Sequence, residues 1–149
     1  MKKLLLNIIV LCFSSISLYA QHKTIRGRVI DEYAEIVPYA SIVINDTVVV
    51  GRTALNGAFQ IEIPVSVRKI LLREVGFENT AIVLSDTCEE VEVVMMLSAT
   101  YDFITLKKVD RLRMKRVKKL PALHKEAFER GLFKTDKACY TQAFIPYSH

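Results

Sequence analysis

The sequence predicts an all-β fold, a seven-stranded antiparallel sandwich followed by a short basic helical C-terminal extension. Between residues 24 and 97, seven short segments alternate apolar and polar side chains, and turn-forming residues separate them at regular intervals. After Thr100 the apolar spacing changes from that of a strand to that of a helix. We therefore divide the chain into a signal peptide (1–20), a β-sandwich domain (21–100) and an extension (101–149).

The N-terminal segment has the pattern of a signal peptide. Lys2 and Lys3 precede an apolar run over residues 4–13, which is too short to span a bilayer. Ala20 then supplies the small residue that a cleavage site requires. We expect export to the periplasm, the outer membrane or the cell surface; a lipoprotein modified at Cys12 is the alternative.

The first three strands follow from alternation and from the turn residues between them. Residues 24–30 alternate polar and apolar side chains and form the first strand. Pro38, which cannot donate a backbone hydrogen bond, marks the edge of a second strand over residues 39–45. Asn45 and Asp46 favour a turn, which precedes a third strand over residues 48–53.

A hairpin is predicted at Asn56-Gly57, because a two-residue turn with positive φ suits both residues. Beyond it, apolar residues beginning with Phe59 alternate with Gln60 and Glu62, which predicts a strand with one face in water and Phe59 in the core. The remaining three strands are predicted over residues 69–75, 79–84 and 91–97.

The extension is expected to contain two short helices and a docked tail. Apolar residues recur at helical spacing from Leu106 to Leu120. Pro121 suits the first turn of a second helix, for which Gly131 is a plausible end. The final stretch, "CYTQAFIPYSH", combines three aromatic residues with a proline, and we expect it to be an extended segment that docks on another surface.

Charge is divided unequally between the two parts of the mature chain. Residues 21–100 carry seven Lys and Arg against eleven Asp and Glu, a net charge of −4. Residues 101–149 carry twelve against five, a net charge of +7. The basic isoelectric point is therefore a property of the extension.

The basic run "LKKVDRLRMKRVKKL" is the feature that points most directly to a partner. As a helix it would be an amphipathic cation able to contact an acidic protein or an anionic membrane surface. The expected contact residues are Lys115, Arg116, Lys118 and Lys119. The alternative is a helix laid on the sandwich with its charges in water. Nucleic acid is not expected as a partner, since an exported chain seldom meets it and the run lacks interleaved aromatic residues.

Two cysteines, Cys88 and Cys139, remain in the mature chain, and an exported chain favours a disulfide between them. Two free thiols are the alternative, because sequence spacing does not show that the sulfurs approach each other. His124 lacks zinc-site spacing and is expected to be a solvated helix residue. A Cys139–His124 nucleophile pair can be drawn, but no nucleophile motif surrounds the cysteine. We expect no catalytic residue, metal or cofactor.

Several positions share a pattern with a known family. They are Gly27, Val29 and Asp31; Pro38-Tyr39-Ala40-Ser41; Gly51, Thr53, Asn56, Gly57 and Phe59; and Val75-Gly76-Phe77. With these residues the chain resembles the carboxypeptidase regulatory-like domain, a transthyretin-like, immunoglobulin-like β-sandwich of bacterial envelope proteins. The resemblance covers residues 24–97. The loop over residues 31–36 departs from it, since it lacks the glycine usual in that turn.

The resemblance implies a non-catalytic module. Domains of this family accompany peptidases, receptors and surface glycan-handling proteins, where they mediate folding or protein contacts. The matched positions are structural, so they transfer no binding residue to this chain. We expect a binding or scaffolding module of the bacterial cell envelope with an envelope protein as partner. The alternative is a small envelope hydrolase, or the accessory subunit of one.

Overall fold

A computed structural model describes residues 21–148; the predicted signal peptide lies outside this range. Within it, the chain forms eight strands and two helices. The strands are β1 (His22–Asp31), β2 (Ser41–Ile44), β3 (Val48–Arg52), β4 (Ala58–Pro64), β5 (Lys69–Arg73), β6 (Thr80–Leu84), β7 (Glu90–Met95) and β8 (Tyr140–Ala143). The helices are α1 (Leu106–Val117) and α2 (Leu120–Glu129).

The strands are arranged in two sheets, a three-stranded sheet with the order β4-β1-β7 and a five-stranded sheet with the order β3-β2-β5-β6-β8. All seven predicted strands are present, but the predicted number is one too low, because the extension adds β8 to the edge of β6. The expectation of purely antiparallel pairing is also wrong. Strands β1 and β7 run parallel, with Gly27 opposite Val91 and Val29 opposite Val93.

The main core fills the space between the two sheets. Alternation along β4 points Phe59, Ile61 and Ile63 inward and leaves Gln60 and Glu62 exposed, so Phe59 lies in the core as predicted. The larger sheet contributes buried residues that include Ile42, Ile70, Leu72 and Ile82. This shared apolar interior is the main source of stability for the two sheets.

The Asn56-Gly57 turn is present, but the strands on either side of it do not pair with each other. Gly57 has a φ of 72°, and the Ala54 N–H donates to the Ala58 carbonyl oxygen at 2.8 Å. Strand β3 belongs to the larger sheet and β4 to the smaller one. The predicted hairpin is therefore wrong in its pairing, because a local turn signal does not specify which sheet the next strand joins.

Because of the directions in which the strands run, four of the connections between them lie at the same end of the two sheets. A hydrogen bond from the Ser98 N–H to the Gly76 carbonyl oxygen at 2.8 Å joins two of these connections across the sheets. A second, from the Tyr39 N–H to the Thr53 carbonyl oxygen at 3.0 Å, joins the other two beyond the end of the β2–β3 pairing. We call this region the loop end. It consists of residues 32–40, 53–57, 74–79 and 96–105, and the connections at the opposite end are residues 45–47, 65–68 and 85–89.

The extension packs against the sheets. Helix α2 begins as predicted, with Pro121 in its first turn, and the chain leaves it through Gly131 at a φ of 73°. A second apolar cluster on the outer side of the smaller sheet contains Ile30, Val94, Met96, Leu120, Ala127 and Phe133. Because α2 covers this outer side, β7 is buried on both faces. No helix within residues 21–148 combines the length and the apolar character needed to cross a membrane.

Candidate interaction surface

Arg113 joins helix α1 to the loop end. Its side chain is 4% exposed, and its Nε donates to a Glu78 carboxylate oxygen at 2.9 Å. The Glu78 N–H in turn donates to the Met96 carbonyl oxygen at 2.8 Å. Nη1 of Arg113 donates to Asp110 at 3.1 Å. These carboxylates supply the partners that a buried guanidinium requires, so α1 is anchored by a buried ion pair.

Arg116 makes a second connection to the same end. Its Nε donates to Glu32 at 3.1 Å and its Nη2 donates to the Leu97 carbonyl oxygen at 2.7 Å. The hydrogen bond with Glu32 raises the pKa of Arg116 above its ordinary value. The structure thus directs this charge into the molecule, which corrects the assignment of Arg116 to a surface contact.

The C-terminal tail is held by the same helix. The Asp110 carboxylate accepts hydrogen bonds from the Tyr147 N–H at 2.8 Å and from the Ser148 hydroxyl at 2.6 Å. The Ser148 hydroxyl contributes most to lowering the pKa of Asp110 below its ordinary value. The Arg113 guanidinium lies over the Tyr147 ring, 3.7 Å from its centroid, and donates to the Ile145 carbonyl oxygen at 2.8 Å. The tail is extended and docked, as expected.

The opposite side of α1 and the turn after it form a cationic face. Its members are exposed: Lys107, Lys108, Arg111, Lys115, Lys118 and Lys119. The ion pairs within residues 21–148 involve other cations, so none of these six is paired with a carboxylate there. Residues three and four apart share one side of a helix, which explains why the cations lie together. Three of the four predicted contact residues, Lys115, Lys118 and Lys119, are on this face.

The loop end also exposes large apolar side chains, which the sequence reading missed. They are Tyr33, Ile36, Tyr39, Leu55, Val75 and Phe103, with Leu106 and Leu112 of α1 beside them. Val75 is 92% exposed and Phe103 is fully exposed. Among the described connections at the opposite end, only Val65 is a large exposed apolar residue. Isolated exposed apolar residues are common, but a concentration at one end indicates an interaction surface.

A groove connects the apolar loops to the cationic face. It has a volume of about 580 Å³ and runs between the β1–β2 loop and α1. Its lining combines Tyr33, Leu97 and Leu112 with Lys115. The groove therefore places Lys115 of the cationic face beside Tyr33 and Leu112 of the apolar set.

The cysteine and histidine candidates are accounted for elsewhere in the fold. Cys88 and Cys139 are joined by a disulfide with their Cα atoms 5.3 Å apart, so Cys139 is not a free nucleophile. His124 was expected in solvent but is buried, with its ring centroid 4.8 Å from that of Phe133. Its Nε2 donates to the Thr135 carbonyl oxygen at 3.1 Å, and burial lowers its pKa. Cys139 and His124 therefore do not form the nucleophile pair considered above.

A second cavity, of about 410 Å³, lies beside His124 between α2, β7 and β8. Val94, Val117 and Leu120 make much of its lining apolar. Within the part of the chain that the structure describes, no group of three or more His, Cys, Asp or Glu side chains is placed to hold a metal ion.

No protein-family model matches the chain, and no curated protein sequence matches it either.

Proposed function

We propose that this protein is a non-catalytic exported binding or scaffolding module of the bacterial cell envelope, and that the loop end with its cationic face is the contact surface. The observation that carries the proposal is that the basic residues on the two sides of α1 have different surroundings. Arg113 and Arg116 satisfy acidic residues of the molecule itself, whereas the six cations of the cationic face are left to solvent. Like charges held together repel one another, and a negatively charged partner would relieve that repulsion.

We further propose that the two sheets form a transthyretin-like domain of the carboxypeptidase regulatory-like class. Two of the glycines behind that resemblance support it. A Cβ atom on Gly27 would overlap the Val91 carbonyl oxygen, so the close pairing of β1 and β7 requires glycine at this position. Gly57 adopts a φ of 72°, where a Cβ atom would lie 2.6 Å from the Val29 carbonyl oxygen.

Sedimentation with washed cell envelopes tests the contact surface. In the test variant, Lys115, Lys118 and Lys119 are all replaced with glutamine. In the matched control, Lys23, Arg52 and Lys137, which lie outside the cationic face, are replaced in the same way. Both variants lose three positive charges, so they differ in where the charge is removed and not in how much.

We expect the control to sediment with envelopes like the wild type. The test variant should bind at least about tenfold more weakly, because each cation near an anionic surface contributes about 1 kcal/mol. Raising the salt concentration from about 50 to 500 mM should release the wild type. Equal binding by the two variants would overturn the proposal.

A further inference from the structure

We infer that the partner of the loop end is an anionic lipid bilayer, and that Phe103 inserts into the boundary between headgroups and acyl chains. This inference rests on the proposed function and adds the chemistry of the partner. It draws on the position of Phe103, on the order of residues that follow it, and on the way α1 is fixed to the sheets.

Phe103 projects fully into solvent from the connection that precedes α1. Its backbone has a φ of 58°, in the left-handed region that a residue with a bulky side chain seldom adopts. Leu106, one turn further on, is 56% exposed. The loop thus presents the aromatic ring of Phe103 from a backbone conformation that glycine or asparagine would adopt at lower cost, and the exposed Leu106 side chain follows at the start of α1.

Cations follow directly after these apolar residues. Lys107 and Lys108 are exposed in the first turn of α1, and the rest of the cationic face continues along the helix. Peripheral membrane proteins combine these two elements, with cations at the level of the headgroups and aromatic or aliphatic side chains several ångströms deeper. An acidic protein would account for the cations but would not require the fully exposed ring of Phe103.

Two ion pairs, one buried and one partly buried, hold α1 in a fixed position. Arg113 and Arg116 fix the inner side of the helix to Glu78 and Glu32, so its outer side keeps one orientation relative to the loops. Binding at a membrane would then order few additional side chains, and little of the interaction free energy would be lost to conformational entropy.

Fluorescence offers a direct test, because the sequence contains no tryptophan. The Phe103→Trp variant of the mature chain carries a single such fluorophore at the predicted insertion point. A Val49→Trp variant is the matched control, since Val49 is 54% exposed but lies on the edge strand β3, away from the loop end. Each variant is mixed with phosphatidylglycerol–phosphatidylethanolamine vesicles and, separately, with phosphatidylcholine vesicles.

We expect the Phe103→Trp emission to shift to shorter wavelength with the anionic vesicles and to stay unchanged with the neutral ones. The Val49→Trp variant should bind the anionic vesicles without any shift. A Phe103→Ser variant should bind them about tenfold more weakly, which corresponds to the loss of a buried aromatic side chain. Its thermal melt should match that of the wild type, because the ring is fully exposed.

Two results would overturn the inference and leave the proposed function standing. Binding to anionic vesicles without a shift at residue 103 would show adsorption by charge alone. Absence of vesicle binding, together with envelope binding that still depends on Lys115, Lys118 and Lys119, would identify an acidic protein as the partner. The proposed function itself fails only if replacement of these three lysines leaves envelope binding equal to that of the control variant.

Discussion

The imidazole of His124 is buried beneath the Phe133 ring, and its Nδ1 has no hydrogen-bond partner among residues 21–148. Burial holds its pKa below the ordinary value of 6.5. Below about pH 6.5 the unfolded chain therefore binds more protons than the folded chain, and the free energy of unfolding should fall as the pH drops. Urea unfolding at a series of pH values should show this loss, and a His124→Gln variant should show less of it. Identical pH profiles would contradict the assignment.

Phe59 provides a test of the main core. Its ring is 8% exposed and lies between the sheets, beside the close approach of β1 and β7 at Gly27. Phe59→Ala should lower the free energy of unfolding by about 3–5 kcal/mol, because the substitution removes apolar contacts and leaves a cavity. Glu62→Ala, on the exposed side of the same strand, is the control and should change stability by less than about 0.5 kcal/mol. Similar losses in both would mean that the faces of β4 are reversed.

At the scale of elements, helix α1 depends on the buried guanidinium of Arg113. Arg113→Met keeps much of the side-chain volume but removes the nearer of the two cations that pair with Glu78. This carboxylate, whose side chain is 3% exposed, would keep only the longer contact with Arg116 at 3.4 Å. Removal of one member of a buried pair costs about 3–5 kcal/mol, so we expect a loss of that size together with faster amide exchange along α1. Lys115→Gln should leave both measurements unchanged. A stable Arg113→Met protein with slow exchange in α1 would show that the pair does not anchor the helix.

Strand β8 is secured at its start by the bond between Cys88 and Cys139, which closes a loop of 51 residues. Thiol titration of an unreduced protein that consists of residues 21–149 should find no free thiol. Reduction should lower the free energy of unfolding by about 2–4 kcal/mol, since it releases a constraint on the unfolded chain. Two reactive thiols in the native protein would refute the bond.

The elements differ in how far the sequence could predict them, and distance along the chain is the reason. Alternation is a local property, and it identified the seven strands from β1 to β7. Strand β8 has only partly buried and exposed side chains, and it forms because β6 offers an unpaired edge. The parallel pairing of β1 with β7 is likewise invisible in either segment alone.

Only the part of the candidate surface that depends on local sequence was predicted. The exposed lysines could be read from the basic run, because charged residues usually face water. Arg116 was assigned to the same face, and only the fold shows that its partner Glu32 lies 84 residues away. Only the fold likewise shows that Arg113 pairs with Glu78, 35 residues away. The apolar loops went unnoticed because their shared position depends on strand direction.

At the scale of the whole molecule, the two sets of basic residues should respond differently to salt. The inner pairs of Arg113 and Arg116 are at least partly buried and are weakly screened, whereas the cationic face is open to counterions. We expect about 0.5 M salt to abolish binding through the cationic face while the thermal melt changes little. A melt that falls in parallel with binding would show that α1 detaches and that the two sets are not independent.

The parallel pairing of β1 with β7 also bears on the order of folding. Strand β1 lies in the middle of its sheet, and one of its neighbours, Glu90–Met95, is synthesised long after it. Until this segment has been synthesised, one edge of β1 has no partner strand. Pairing between strands so far apart in the sequence also forms slowly. Folding would therefore be delayed until most of the two-sheet region has emerged. For a chain that crosses a membrane unfolded, that delay would keep the N-terminal segment unfolded while it passes through the translocation channel.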